Sequence, residues 1–165
     1  MTSTLKGGPE PTARDSQAAR LKDFARMFQR RISYCLECDN LASLKQIALL
    51  TAQSEAPAYY VTWIYARNRV TAMIRQWERA GHITYSANRH SRQAMIEELA
   101  RRAMATQTFV GNITISEAVT RVMAEGGASS FFISPSYSWK LLLQARYHSG
   151  RRLRRTTRRR SRRLL

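Results

Sequence analysis

The chain has 165 residues and a mass of 19.0 kDa, with 28 Lys and Arg against 11 Asp and Glu, a formal charge of +17 and a pI near 11.2. At 44% hydrophobic it can bury a core, while seven Gly, four Pro and two Cys exclude collagen-like, linker-like and disulfide-stapled chains. No apolar run approaches the length of a membrane span and Met1 to Gly8 lacks the apolar centre of a secretory signal, so a cytoplasmic or intravirion protein, not a secreted one, is expected.

Residues 1–14, with Gly7, Gly8, Pro9 and Pro11, read as a disordered lead. Leu21, Phe24, Ala25, Phe28, Ile32, Cys35 and Leu36 then follow helical spacing, which predicts an amphipathic helix over 15–38 capped by Asp15 or Ser16. Ser43 and Gln46 have capping-box spacing and open a short helix over 44–53, burying Leu44, Ile47 and Leu50 or Thr51. Thr62 caps a third helix over 63–80, which carries Val70, Met73, Ile74 and Trp77 and stops at Gly81. His82 to Asn88 is a loop or one short strand.

Ser91 caps a fourth helix over 91–105, with Met95, Ile96, Leu99 and Ala103 on one side. Thr114 and Glu117 form a second capping box, opening a fifth helix over 115–125 that Gly126 and Gly127 end. Ser134-Pro135 is a strong start signal for a sixth helix over 135–148. The fold class read from these signals is all-α.

Two pieces of the chain match at an offset of 72. Ala56-Pro57-Ala58-Tyr59-Tyr60-Val61-Thr62 lies over Ala128-Ser129-Ser130-Phe131-Phe132-Ile133-Ser134, Tyr65 falls on Tyr137, Ile47 on Val119 and Leu50 on Val122. This predicts two pseudo-repeated three-helix units, 15–81 and 82–149, followed by an Arg-rich tail over 150–165. One ring of each aromatic pair, with Val61 or Ile133, is expected to plug the groove between flanking helices. The alternative turns the second ring outward to stack on a base.

A short helix, a connection and a helix with a basic outer face is similar to a helix-turn-helix DNA-binding unit. That resemblance implies base-edge contacts from Trp63, Tyr65, Arg67, Asn68 and Arg69, with Arg75 nearer the backbone, and from Ser136, Trp139, Lys140 and Gln144 in the second copy. This connection is about nine residues, where the family's turn has three or four. The repeated Ala-Pro-Ala-Tyr-Tyr-Val-Thr element also resembles one in small uncharacterised proteins of phages and mobile elements of gut bacteria, and implies no activity. The plainer account of the arginines on the third helix is a solvated outer face.

The charge is concentrated at the C-terminus. Residues 1–125 carry a net +6, and residues 126–165 carry +11 with no acid at all. Nine arginines, Arg151, Arg152, Arg154, Arg155, Arg158, Arg159, Arg160, Arg162 and Arg163, fall in the last fifteen residues. So dense a run of like charge is expected to be disordered when free. A planar guanidinium pairs two phosphate oxygens at once, so the tail should bind DNA or RNA tightly, without sequence preference, with a log–log salt slope of about −6 to −8. A nuclear-import address and adhesion to anionic lipid are the competing readings.

Other motifs fall short of a site. Cys35 and Cys38 have CxxC spacing, but no second ligand pair accompanies them, so a buried thiol is the simpler account and no metal is expected. Glu97 and Glu98 point in different directions on a helix, and Glu98 is four residues before Arg102, the spacing of a surface pair. No catalytic constellation or cofactor motif stands out. The expectation is a small, basic, helical, non-enzymatic nucleic-acid-binding protein without membrane partners. The alternatives are a component of a virion-like or ribosome-like nucleoprotein assembly, with the helices making protein contacts, and a helix-turn-helix transcriptional regulator.

Overall fold

The computed structural model describes residues 11–38 and 42–144. The described residues form helices α1 (Ala13–Glu37), α2 (Leu44–Gln53), α3 (Trp63–Ala80), α4 (Arg92–Val110) and α5 (Ile115–Glu125). A sixth helix, α6, occupies 135–144, where the described residues end. There is no strand among them; Ala56 and Ala128 form an isolated antiparallel bridge. The stretch 82–88 is a loop. The tail over 150–165 and most of the N-terminal lead lie outside the described residues, as does the predicted end of α6.

Capping chemistry explains the helix starts. α2, α3, α4 and α5 begin behind Ser43, Thr62, Ser91 and Thr114 as the sequence predicts. The first helix starts earlier, because Thr12 is its cap and Asp15 is the third helical residue. The Asp15 carboxylate accepts from the Thr12 amide at 2.9 Å, and its own amide donates to the Thr12 hydroxyl. The Thr12 hydroxyl, which donates to the same carboxylate at 2.7 Å, and the Thr12 amide hold the Asp15 carboxyl below the usual carboxylate range.

α4 runs five residues further than its apolar pattern, to Val110. Thr106 and Thr108 return their hydroxyls to the carbonyls of Arg102 and Met104, and Gly111, at φ +67°, ends the helix. This last turn buries nothing: Phe109 is 92% exposed, which is why hydrophobic periodicity misses it.

Val70, Met73, Ile74 and Trp77 of α3 and Met95, Ile96, Leu99 and Ala103 of α4 are all buried, as their spacing predicts. α2 follows expectation at Ile47 and Thr51 and departs from it at Leu44. It buries Ile47, Ala48, Thr51 and Ala52 and leaves Leu44 and Leu50 exposed. Small residues thus form its inner face, and the Thr51 hydroxyl is satisfied by the Ile47 carbonyl at 2.7 Å. On α1 only Phe24 and Phe28 are fully in the core, and Leu36 is exposed.

The helices do not pack in chain order. α1 packs on α2, whereas α3 packs on α4 and α5, and α4 on α5. α6 is reached from the first two helices: Arg20 of α1 lies over the Tyr137 ring, and Lys45 of α2 over the Trp139 ring. The loops before α3 and α6 therefore each cross to helices other than the one they leave.

The two crossing loops are bonded to one another. The Ala56 amide donates to the Ala128 carbonyl at 2.9 Å, the Gly127 amide to Pro57 at 3.0 Å, and the Phe131 amide to Ala52 at 3.1 Å. Gly126 sits at φ +67°, and a Cβ there would stand 2.4 Å from the Pro57 carbonyl oxygen. Phe131 fills the space beneath, edge-on to Phe24 at 5.4 Å and stacked on Tyr60 at 5.8 Å. Tyr59 and Tyr60 are both buried, so neither ring of the first aromatic pair faces solvent. Phe132 is half-buried, at φ +49°.

Candidate nucleic-acid interface

α3 carries the residues that the helix-turn-helix resemblance singles out. At about 100° per residue, Asn68 and Arg75, seven apart, share the face opposite the buried Val70–Ile74–Trp77 stripe. Both are exposed, and Arg79 extends the same stripe into the last turn. Arg67 and Arg69 flank it on opposite sides, about 160° apart, and cannot enter one groove together. Arg69 is exposed and Arg67 half-buried.

Arg67 is engaged within the helix. Its guanidinium lies 4.8 Å from the Trp63 ring centre and donates from Nε and Nη2 to the Asn68 side-chain carbonyl at 3.2 and 3.1 Å. Trp63 in turn donates its indole N–H to the Thr120 hydroxyl of α5 at 2.9 Å. Trp63 thus pins α3 to α5, and Tyr65 lies beneath Arg92 of α4. On α6, Lys140, Ser136 and Gln144 are exposed, and Trp139 is half-buried under Lys45. The nine tail arginines lie outside the described residues.

α2 and α3 are joined by nine residues and do not pack together, so α2 does not brace α3. The basic face of α3 is presented instead by α4 and α5.

Sequence reasoning missed the polar network beneath the crossing loops. Glu98 and Arg102 do not form the surface pair that their spacing suggests. Glu98 accepts from the Tyr59 hydroxyl and from the Ser129 amide and hydroxyl. Arg102 donates to the same Tyr59 oxygen at 2.8 Å, to the carbonyls of Gly126 and Gly127, and to Glu125. Burial, reinforced by the Glu98 carboxylate, pushes the Tyr59 phenol well above its ordinary range, and burial with Asp23 does the same to Tyr60. Glu97, also buried, takes the Ser86 amide at 2.7 Å and fixes the loop before α4.

Five acids among the described residues are drawn into structure, while Glu37, Glu55 and Glu78 are exposed, as most of the bases are. Asp15 and Glu117 close capping boxes, Glu97 and Glu98 hold loop amides, and Asp23 accepts from Tyr60. Among the described residues only Arg26–Asp23 and Arg102–Glu125 are ion pairs.

Two clefts border this network. One, of about 720 Å³, is lined by Tyr85, Arg89, Glu97, Glu98, Arg101 and Phe132, among others. The other, of about 430 Å³, lies between α1, α4 and α6 and includes Arg20, His90, Arg92, Phe132, Ser134 and Tyr137. The offset of 72 places Arg92 on Arg20, so extending the repeat back to α1 was the signal that could have found this pair.

Cys35 is half-buried against the core and Cys38 is exposed. The described residues hold no group of three or more His, Cys, Asp or Glu arranged for a metal. No described helix is long and apolar enough to cross a membrane. Compared with known protein families, curated proteins and solved structures, the chain matches none.

Proposed function

We propose that this chain is a non-enzymatic nucleic-acid-binding protein whose helical body presents basic side chains while the Arg-rich C-terminus supplies most of the phosphate contacts. The observation that carries this reading is the separation of charge by role. The chain has a net charge of +17, yet five of its eleven acids, Asp15, Asp23, Glu97, Glu98 and Glu117, are engaged by caps, loop amides and tyrosine hydroxyls. Cations left without carboxylates need an external anion, and phosphate chains are the natural one.

The same reading takes the body as two copies of a three-helix unit that have exchanged their third helices. α1 and α2 would hold α6, and α4 and α5 would hold α3. Supporting this, the bridged residues Ala56 and Ala128 differ by the repeat offset of 72. So do the two cation–π contacts: Arg20 over Tyr137 and Arg92 over Tyr65 are the same contact made from opposite halves.

A salt titration tests the function. Binding to random duplex DNA, single-stranded DNA and structured RNA is measured with the intact chain and with one ending at Gly150. The intact chain is expected to bind all three, with a slope of about −6 to −8 that collapses on truncation. Absence of binding by the intact chain at low salt would refute the proposal.

A second reading, a component of a nucleoprotein assembly, draws on exposed apolar side chains of the first two helices, Tyr34, Leu36, Leu44 and Leu50. Sedimentation of the intact chain with and without nucleic acid separates it: higher-order particles form only if those side chains mediate protein contact. Operator reading by α3 has weaker support, because α2 does not brace that helix.

A further inference from the structure

The cleft of about 430 Å³ between α1, α4 and α6 has no acid in its lining. Its charged groups are the guanidiniums of Arg20 and Arg92, with His90 beside them. Arg20 is the unusual one. Its Nη2 donates to two neutral oxygens, Gln17 Oε1 and the Tyr137 hydroxyl at 3.5 Å, and its buried Nε has no partner. A guanidinium partly withdrawn from water normally acquires a carboxylate, because its desolvation is otherwise uncompensated. Here Arg92 brings a second positive charge instead. Burial and that neighbouring charge push the Arg20 guanidinium below the ordinary arginine range.

Three further features converge on the same space. The starts of α4 and α6 open into it at their caps, Ser91 and Ser134, where helix dipoles add partial positive charge. Phe132 lines it with a left-handed backbone that a non-glycine residue rarely adopts, held by its amide bond to the Ser130 hydroxyl at 3.1 Å. Both guanidiniums are also oriented by rings, Tyr137 at 5.3 Å and Tyr65 at 5.6 Å, rather than by counter-charges. The lining carries cations and no carboxylate, and the Asp23 carboxylate behind Tyr60 is already engaged by the Tyr60 hydroxyl and Arg26.

We propose that this cleft is a phosphate-binding site, in which Arg20 and Arg92 grip one phosphate group from either side. The group can belong to a nucleic-acid backbone or to free phosphate, since both offer tetrahedral oxygens to two guanidinium forks. The site rests on its own geometry; where the phosphate is a nucleic acid's, it gives the proposed function a fixed anchor in addition to the tail.

The test reads the cleft locally, because the tail also attracts phosphate. The intact chain is titrated with inorganic phosphate while the Arg92 Nε–H and His90 ring signals are followed by NMR. Saturable shifts are expected, with affinity reduced about tenfold or more by R92Q, an exposed position whose contact with the fold is the Tyr65 ring, and by R20Q. R30Q, on the exposed face of α1, should leave the titration unchanged. A short oligonucleotide is then added. Displacement of phosphate from the cleft assigns the bound group to nucleic acid; continued phosphate occupancy assigns it to free phosphate, and the cleft stands even if nucleic-acid binding fails. Cleft signals indifferent to phosphate, or an R92Q protein that responds as the parent does, would overturn the proposal.

Discussion

The amide of Ala56 donates to the carbonyl of Ala128 at 2.9 Å, joining two loops that lie 72 residues apart in the chain. Beside this bond Gly127 reaches Pro57, and Arg102 ties the carbonyls of Gly126 and Gly127 to the Tyr59 hydroxyl. The helices on both sides meet here, so the loops act as the clasp of the fold.

Gly126 and Gly127 make a graded pair. Both have a left-handed φ, but a Cβ at Gly126 would stand 2.4 Å from the Pro57 oxygen, whereas one at Gly127 meets nothing within 4 Å. G127A is expected to cost about 1 kcal/mol from backbone strain alone. G126A adds a clash with rigid backbone and should cost about 3 kcal/mol or more. Thermal unfolding of the two variants checks the order, and equal losses would show that the loops separate readily.

Arg102 is expected to behave as an internal strut. R102M keeps the aliphatic stem but leaves two glycine carbonyls and the Tyr59 oxygen short of a donor, costing about 2–4 kcal/mol. Denaturant unfolding measures this. E125Q, which alters only the exposed partner of Arg102, should stay within about 0.5 kcal/mol of the parent.

Tyr59 and Tyr60 predict an alkaline limit. Both phenols titrate higher in the folded protein than the ordinary value near 10, chiefly through burial, so the native state keeps two protons that the unfolded chain releases. Their contribution is complete below pH 10 and is lost as the pH rises above it towards the folded values. Unfolding measured between pH 9 and 12 on a scale of about one pH unit per step should show a falling limb. The limb should be shallower in Y59F and Y60F; an unchanged slope would place the loss elsewhere.

The basic face of α3 separates binding from stability. N68A and R75A remove exposed side chains opposite the core and should alter stability by less than about 0.5 kcal/mol while weakening nucleic-acid binding. R67A removes a cation from the Trp63 ring and should cost about 0.5–1 kcal/mol. Paired melting and binding curves distinguish the two effects.

Much of this was legible in the sequence. Five of the six helix starts are set by hydroxyl caps that the local order of residues discloses, Ser134 before α6 among them, and the inner faces of α3 and α4 follow from spacing alone. Leu44 is exposed where its spacing predicts burial, and of Leu50 and Thr51 it is Thr51 that turns inward, because α2 also meets its neighbour through Ala48 and Ala52, a choice that depends on interhelical distance. Arg67, Asn68, Arg69 and Arg75 look like one cluster along the chain, yet helical rotation distributes them around α3. The pairing of Arg20 with Arg92 and the Glu98–Tyr59–Arg102 network depend on which helices meet, and local sequence says little about that.

The order in which the helices pack has a consequence for synthesis on the ribosome. α3 emerges before α4 and α5, the helices it packs on, have been made. α1 and α2 in turn wait for Tyr137 and Trp139 of α6 to arrive over Arg20 and Lys45. Little of the body can therefore settle early, and apolar faces such as Val70–Ile74–Trp77 stay unpartnered while translation proceeds. Nascent chains halted after Gly81 should remain open to protease, and resistance should arise only late, first once α5 and then once α6 has emerged.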